Sequence, residues 1–217
     1  MIWIDKDKEP RELTHYRSIR PKMAYNEMDE ETKTALKKAL LKESHYLCAY
    51  CMKRIDLDCA FIEHWKPQSD EATDALEYSN LLAVCDGGKS DQNPDLCCDS
   101  RKGHQKLTLD PTKEFHIQKI KYLRDGTICS DDPVISHDLN EVLNLNCASR
   151  NLKSNQCEVL NAFRNSGLKK FIGKKGEVNI SRLKTFRSLL LGKTYRDPYV
   201  GIVIWEIDKI IRKNKND

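Results

Sequence analysis

Cys48-Ala-Tyr-Cys51 puts two thiols at knuckle spacing, and this constrains the fold more than any other feature of the chain. Two such sulfurs can hold one side of a tetrahedral metal site, and a closed structural site needs two more. Cys85 lies 34 residues after Cys51, and Cys97 and Cys98 follow after another 12 and 13. Thiolate is a soft ligand matched to zinc. The expected set is therefore Cys48, Cys51 and Cys85 with one of Cys97 and Cys98. A C-x2-C pair also serves thioredoxin-like redox sites, but those want a βαβ context that does not follow here. The bland alternative makes these residues buried apolar cysteines. That reading suits Cys59, Cys129, Cys147 and Cys157, which fall in strand or helix patterns without partner spacing.

Nine cysteines, an odd number, fit poorly with a complete disulfide framework. The start, "MIWIDKDKEPREL", is too charged for the apolar part of a signal peptide, and no apolar run reaches membrane-spanning length. The expected compartment is the cytoplasm, where thiols stay reduced. Hydrophobic residues make up 39% and charged residues 32%, which describes a folded chain with a well-charged surface. A net charge of +4 does not argue for nucleic-acid binding by itself, so any basic patch must be local.

Residues 1–27 read as an irregular N-terminal arm broken at Pro10. Asp29 to Ser44 reads as a helix, with acidic residues in its first turn and Leu36, Leu40 and Leu41 as its apolar stripe. Strand candidates follow around Lys53–Ile55 and Cys59–Trp65. "YSNLLAVC" is a compact apolar segment, residues 86–95 form a polar loop, and "CCDSRKGHQKL" starts a helix. Residues 114–130 look like a hairpin turning at Asp125-Gly126. The rest is expected to be helical. Leu152, Val159, Leu160 and Phe163 share one face, and Leu183, Phe186 and Leu190 another. Pro198 starts a last helix that faces Val203, Ile207, Ile210 and Ile211 inward, with a frayed tail at "IRKNKND". A boundary near residue 131 separates a core of residues 28–130 from a helical region, 131–217. The fold class is α+β.

Between the two halves of the cysteine set lie Glu63-His64 in "FIEHWKP" and Asn80 in "YSNLLAVC", and Asp99 follows Cys98 directly. This order resembles the HNH endonuclease family, in which a hairpin and a helix form a ββα-metal core around one divalent ion. The resemblance implies a general base at His64, metal ligands at Glu63 and Asp99, and a loop-bracing Asn80. It puts Lys102 on the trailing lysine of the motif, and it favours Cys98 over Cys97 because Cys98 immediately precedes Asp99. Two departures stand out. The second cysteine pair is stretched by an inserted loop, which costs little closure entropy. An aspartate replaces the final histidine, and it remains a good oxygen ligand for Mg²⁺ or Mn²⁺. Adjacent strand residues point to opposite faces, so Glu63 and His64 can serve one site only if a bend or bulge lies near the strand end.

Over nearly its full length the chain is similar to the PtuB-type subgroup of Septu and retron antiphage systems, on "IDKDKEPRELTHYR", "CAYC", "IEHWKP", "NLLAVCDGG", "CDSRKG" and "VLNLN". With the HNH resemblance, the expected metals are a catalytic Mg²⁺ or Mn²⁺ beside the structural zinc of the cysteine set, and the expected substrate is nucleic acid, DNA favoured over RNA; with no apolar run of spanning length, no membrane partner is expected. The subgroup resemblance implies a PtuA-type ATPase and association with a reverse transcriptase or retron RNA. The basic residues Lys66, Lys89, Arg101, Lys102 and Lys106 are scattered near the motif. Lys66, Arg101 and Lys102 are the expected phosphate contacts. "LKKFIGKK" at 168–175 is a weaker basic candidate. His104, five residues past Asp99, is expected to be a phosphate contact or a surface residue rather than a ligand, and His15, His45, His116 and His137 belong to no constellation and read as structural or exposed. The rival reading is a zinc-stabilised nucleic-acid-binding or adaptor module without catalysis.

Overall fold

The computed structural model describes residues 1–19, 25–67, 75–90, 95–174 and 176–214. Parts of the polar loop (91–94), Lys175 of the basic string and the last three residues of the tail lie outside the described residues. The N-terminal arm is less irregular than expected. Helix α1 (Arg11–Ile19) starts directly after Pro10 and buries Leu13 and Tyr16, spaced i and i+3, against helix α2 (Glu30–Glu43). The Asp29 carboxylate caps α2 by accepting the Thr32 N–H at 2.8 Å, worth about 1 kcal/mol. Leu36, Leu40 and Leu41 of α2 are buried, as their spacing predicts. Lys6 then ties the arm to the sheet. Its ammonium pairs with Glu43 at 2.5 Å and donates to the Leu81 carbonyl at 2.9 Å.

After α2 the chain turns through His45 and Tyr46, both at positive φ, into the cysteine knuckle, and it leaves through Met52, also at positive φ. Those turns leave one isolated bridge, Leu47 to Arg54, where a strand at Lys53–Ile55 is expected. Strand β1 (Phe61–His64) pairs antiparallel with β2 (Leu81–Val84), with Phe61 opposite Val84 and His64 opposite Leu81. Every residue of β2 is buried. Helix α2 packs against it, and the knuckle leans on it through Ala49 N–H to Ala83 O at 3.0 Å. Helix α3 (Cys98–Lys102) is far shorter than the eleven-residue sequence pattern and stops at Gly103.

Residues 114–117 form helix α4 (Glu114–Ile117) rather than strand, so the hairpin shrinks to β3 (Ile120–Tyr122) and β4 (Ile128–Ser130) around Asp125-Gly126. Helices α5 (Pro133–His137), α6 (Leu152–Ala162), α7 (Ile180–Leu191) and α8 (Val200–Lys213) follow. Of the predicted inward residues of α8, Val203, Ile207 and Ile211 are buried, and each contributes about 1.5–3 kcal/mol of apolar burial. Helix α8 reaches the knuckle itself. Tyr199 N–H donates to Met52 O at 3.1 Å, and a Cβ on Gly201 would come 2.5 Å from Met52 Sδ. Residues on both sides of position 131 share one buried apolar cluster. Of the cysteines read as core fillers, only Cys147 is buried. Cys59 is exposed, and Cys129 and Cys157 are half-buried.

Candidate nuclease site and its sulfur frame

Four sulfurs converge. The ligand atoms of Cys48, Cys51, Cys85 and Cys98 all lie within 4.8 Å of one another, and all four residues are buried. The Sγ–Sγ separations are 3.9 Å for Cys48–Cys98 and 3.8 Å for Cys51–Cys85. A zinc ion at the usual Zn–S distance sets tetrahedral edges of about 3.8 Å, so the donor set fits zinc in both chemistry and spacing. Cys97 is buried but stands outside this set. The choice follows from the backbone. Cys97 caps α3 in extended conformation, while Cys98 takes a positive φ of 55° and donates its N–H to Leu143 O at 2.9 Å. Contact with Cys48 pushes the Cys51 and Cys98 thiols well up and the Cys85 thiol down. Four thiols crowded this way contend for protons that a bound dication would displace.

The knuckle carries a second device. Tyr50 stands between its two cysteines, is wholly buried, and donates its hydroxyl to Glu63 Oε1 at 3.0 Å. The Lys102 ammonium meets the same oxygen at 2.7 Å and donates to the His64 carbonyl at 2.8 Å. Glu63 is 4% exposed, and its carboxyl is pushed up to about 8. Burial is the leading cause, the neighbouring Asp99 carboxylate adds to it, and Lys102 opposes it. Two neighbouring carboxylates, a buried one from β1 and a half-buried one from α3, are oxygen donors suited to a hard divalent cation.

His64 ends β1. The register is unbroken through it, so the strand holds no bulge, and the change of direction falls in a bend at residues 65–66. Its Nε2 lies 2.9 Å from Ala75 O. A carbonyl only accepts, so Nε2 carries the proton and Nδ1 is the basic nitrogen. Burial lowers the imidazole's affinity for a second proton, the Lys102 charge lowers it further, and Ala75 and Asp99 oppose this. Tyr25 packs edge-on against the ring at 4.6 Å. Asn80 grips the bend itself: Lys66 N–H donates to Asn80 Oδ1 at 2.7 Å, and Asn80 Nδ2 donates to Lys66 O at 3.2 Å.

One expected phosphate contact is overturned. Lys102 is 1% exposed and its ammonium is spent on Glu63 and the His64 carbonyl, so it cannot meet a phosphate at the surface. Lys66 and Arg101 are exposed, as are Lys106 and His104, which lies beyond the end of α3. Tyr50 escapes sequence reasoning, although a signal existed: a tyrosine inside a closed metal knuckle must be buried, and its hydroxyl then needs a partner.

Comparison with known proteins gives the chain its class: it belongs to the HNH endonuclease family. The similarity that establishes this is to the retron Ec83 protein of Escherichia coli, provisionally named an HNH endonuclease. The two are 30% identical over 196 residues, covering 68% of this chain and 75% of that one. No family model matches the chain. Among the described residues, no helix is long and apolar enough to cross a membrane.

Proposed function

We propose that the chain is a metal-dependent endonuclease that hydrolyses phosphodiester bonds in nucleic acid, with DNA preferred over RNA. The observation that carries this reading is the meeting of Glu63 and Asp99 beside His64, whose Nε2 is held by Ala75 O. Glu63 and Asp99 would hold Mg²⁺ or Mn²⁺, which when bound supplies charge neutralisation for the scissile phosphate and the leaving oxygen. His64 takes the proton from the water that attacks phosphorus. Asn80 fixes the loop that follows the base, and Lys66 and Arg101 offer exposed charge to flanking phosphates. Zinc held by Cys48, Cys51, Cys85 and Cys98 is structural, and the ββα order of β1, β2 and α3 is the catalytic core.

The retron name of the relative supports placing this nuclease among antiphage effectors of the PtuB type. It would work in the cytoplasm with a PtuA-type ATPase and, in a retron, alongside a reverse transcriptase and its RNA. The test is incubation of supercoiled plasmid, and of RNA of matching sequence, with Mg²⁺ or Mn²⁺. Each is run with and without chelator and the ATPase, using the parent and Asp99→Asn. Metal-dependent cutting of DNA that Asp99→Asn loses is the expected result. Binding without cutting under every condition would make the chain an adaptor module instead.

A further inference from the structure

Both carboxylates of the candidate cation site are fastened to the sulfur frame, by different means. Asp99 follows the ligand Cys98 in the chain. Glu63 comes from a separate strand and meets the Cys48–Cys51 knuckle through the side chain of Tyr50, which sits between the two cysteines. The tyrosine ring is 0% exposed, and Glu63 is the hydrogen-bond partner of its hydroxyl among the described residues. Leaving a buried hydroxyl without an acceptor costs about 1–3 kcal/mol, so the pair is held together once the knuckle is closed. Tyr50 and Lys102 both take Oε1, while Asp99 approaches the same carboxyl group.

We propose that Tyr50 is a positioning residue that couples the tetrathiolate site to the carboxylate pair. Closure of the knuckle around zinc fixes Tyr50, Tyr50 and Lys102 pin Glu63 by one oxygen, and the other oxygen is kept for the catalytic cation. Zinc occupancy thereby sets the affinity of the second metal site, although the two metals share no ligand. This rests on Glu63 and Asp99 being the cation site, the reading proposed above. Outer-shell partners of this kind carry about 10–100-fold in metal affinity.

The experiment uses the zinc-loaded full chain as parent, Tyr50→Phe and Glu63→Gln. It reads zinc per chain by elemental analysis and Mn²⁺ uptake from the free-ion electron paramagnetic resonance signal. Tyr50→Phe should keep its zinc and bind Mn²⁺ about 10–100-fold more weakly. Cleavage by this variant should need correspondingly more Mn²⁺ for half-maximal rate, with kcat at saturation near the parent's. Mn²⁺ uptake unchanged in Tyr50→Phe, but lost in Glu63→Gln, overturns the coupling alone. Absence of uptake by the parent overturns the carboxylate site and the coupling with it. A second measurement needs no variant: with ¹¹³Cd in the sulfur frame, adding Mg²⁺ should move the cadmium resonance, and a resonance that stays fixed overturns the proposal even if Tyr50→Phe does not fold.

Discussion

Replacing Cys98 by alanine should release zinc, while replacing its neighbour Cys97 should not. The two residues are adjacent and both buried, yet only Cys98 belongs to the four-sulfur set, with its Sγ 3.9 Å from that of Cys48. Structural zinc in thiolate-rich sites binds with about 10–16 kcal/mol. Shared equally among four ligands, one thiolate is worth roughly 2.5–4 kcal/mol, or about two to three decades in zinc affinity. Whole-domain stabilities are of order 5–15 kcal/mol, so the loss is a large fraction of what keeps the chain folded. For a chain of this size it corresponds to a fall in apparent Tm of roughly 5–15 °C. The assay is competition for zinc against chelators of graded affinity, followed by thermal unfolding of each variant in the presence of zinc. Cys97→Ala should stay within about one decade of the parent, since its loss is one of packing. Equal zinc loss in both variants, or loss in Cys97→Ala alone, would refute the assignment of ligands.

Other changes test neighbouring parts of the account. Gly87 has φ +59°, and a Cβ there would lie 2.1 Å from Cys97 O, so Gly87→Ala should cost more than about 1–3 kcal/mol in urea unfolding and weaken zinc retention. Asn80→Ala removes both grips on Lys66 and should destabilise by about 1–3 kcal/mol, with cleavage falling at unchanged zinc content. Lys66→Gln and Arg101→Gln should each flatten the dependence of DNA binding on salt by about one unit of slope. Lys102→Gln should instead raise the Mn²⁺ requirement, because its charge is spent inside the protein; a change confined to the salt slope would contradict that.

Local signals carried the parts of the fold that local physics decides. Asp29 followed by a leucine stripe defined α2, Asp125-Gly126 defined the hairpin turn, and the i, i+4 apolar residues of α8 mark its buried face. The cysteine spacing singled out three ligands, and the family resemblance chose Cys98 over Cys97. What escaped the sequence depends on long-range packing. The run at Lys53–Ile55 looks like a strand, but left-handed residues on both sides of the knuckle limit it to one bridge. Residues 114–117 have strand-like composition but curl into a helical turn. A lysine at the end of a short helix reads as a surface charge, and only the approach of Glu63, 39 positions earlier, explains why Lys102 is buried. Tyr50 is silent for the same reason, since its acceptor arrives from another strand.

The most direct test is the rate at which the zinc-loaded chain cuts supercoiled DNA at saturating Mn²⁺, with and without the proposed PtuA-type ATPase, parent beside His64→Ala. His64→Ala should lose about 10²–10⁴-fold in rate, with zinc content and unfolding temperature near the parent's. Cutting at the parent's rate by a folded, zinc-bound His64→Ala protein would contradict the role of His64 as general base.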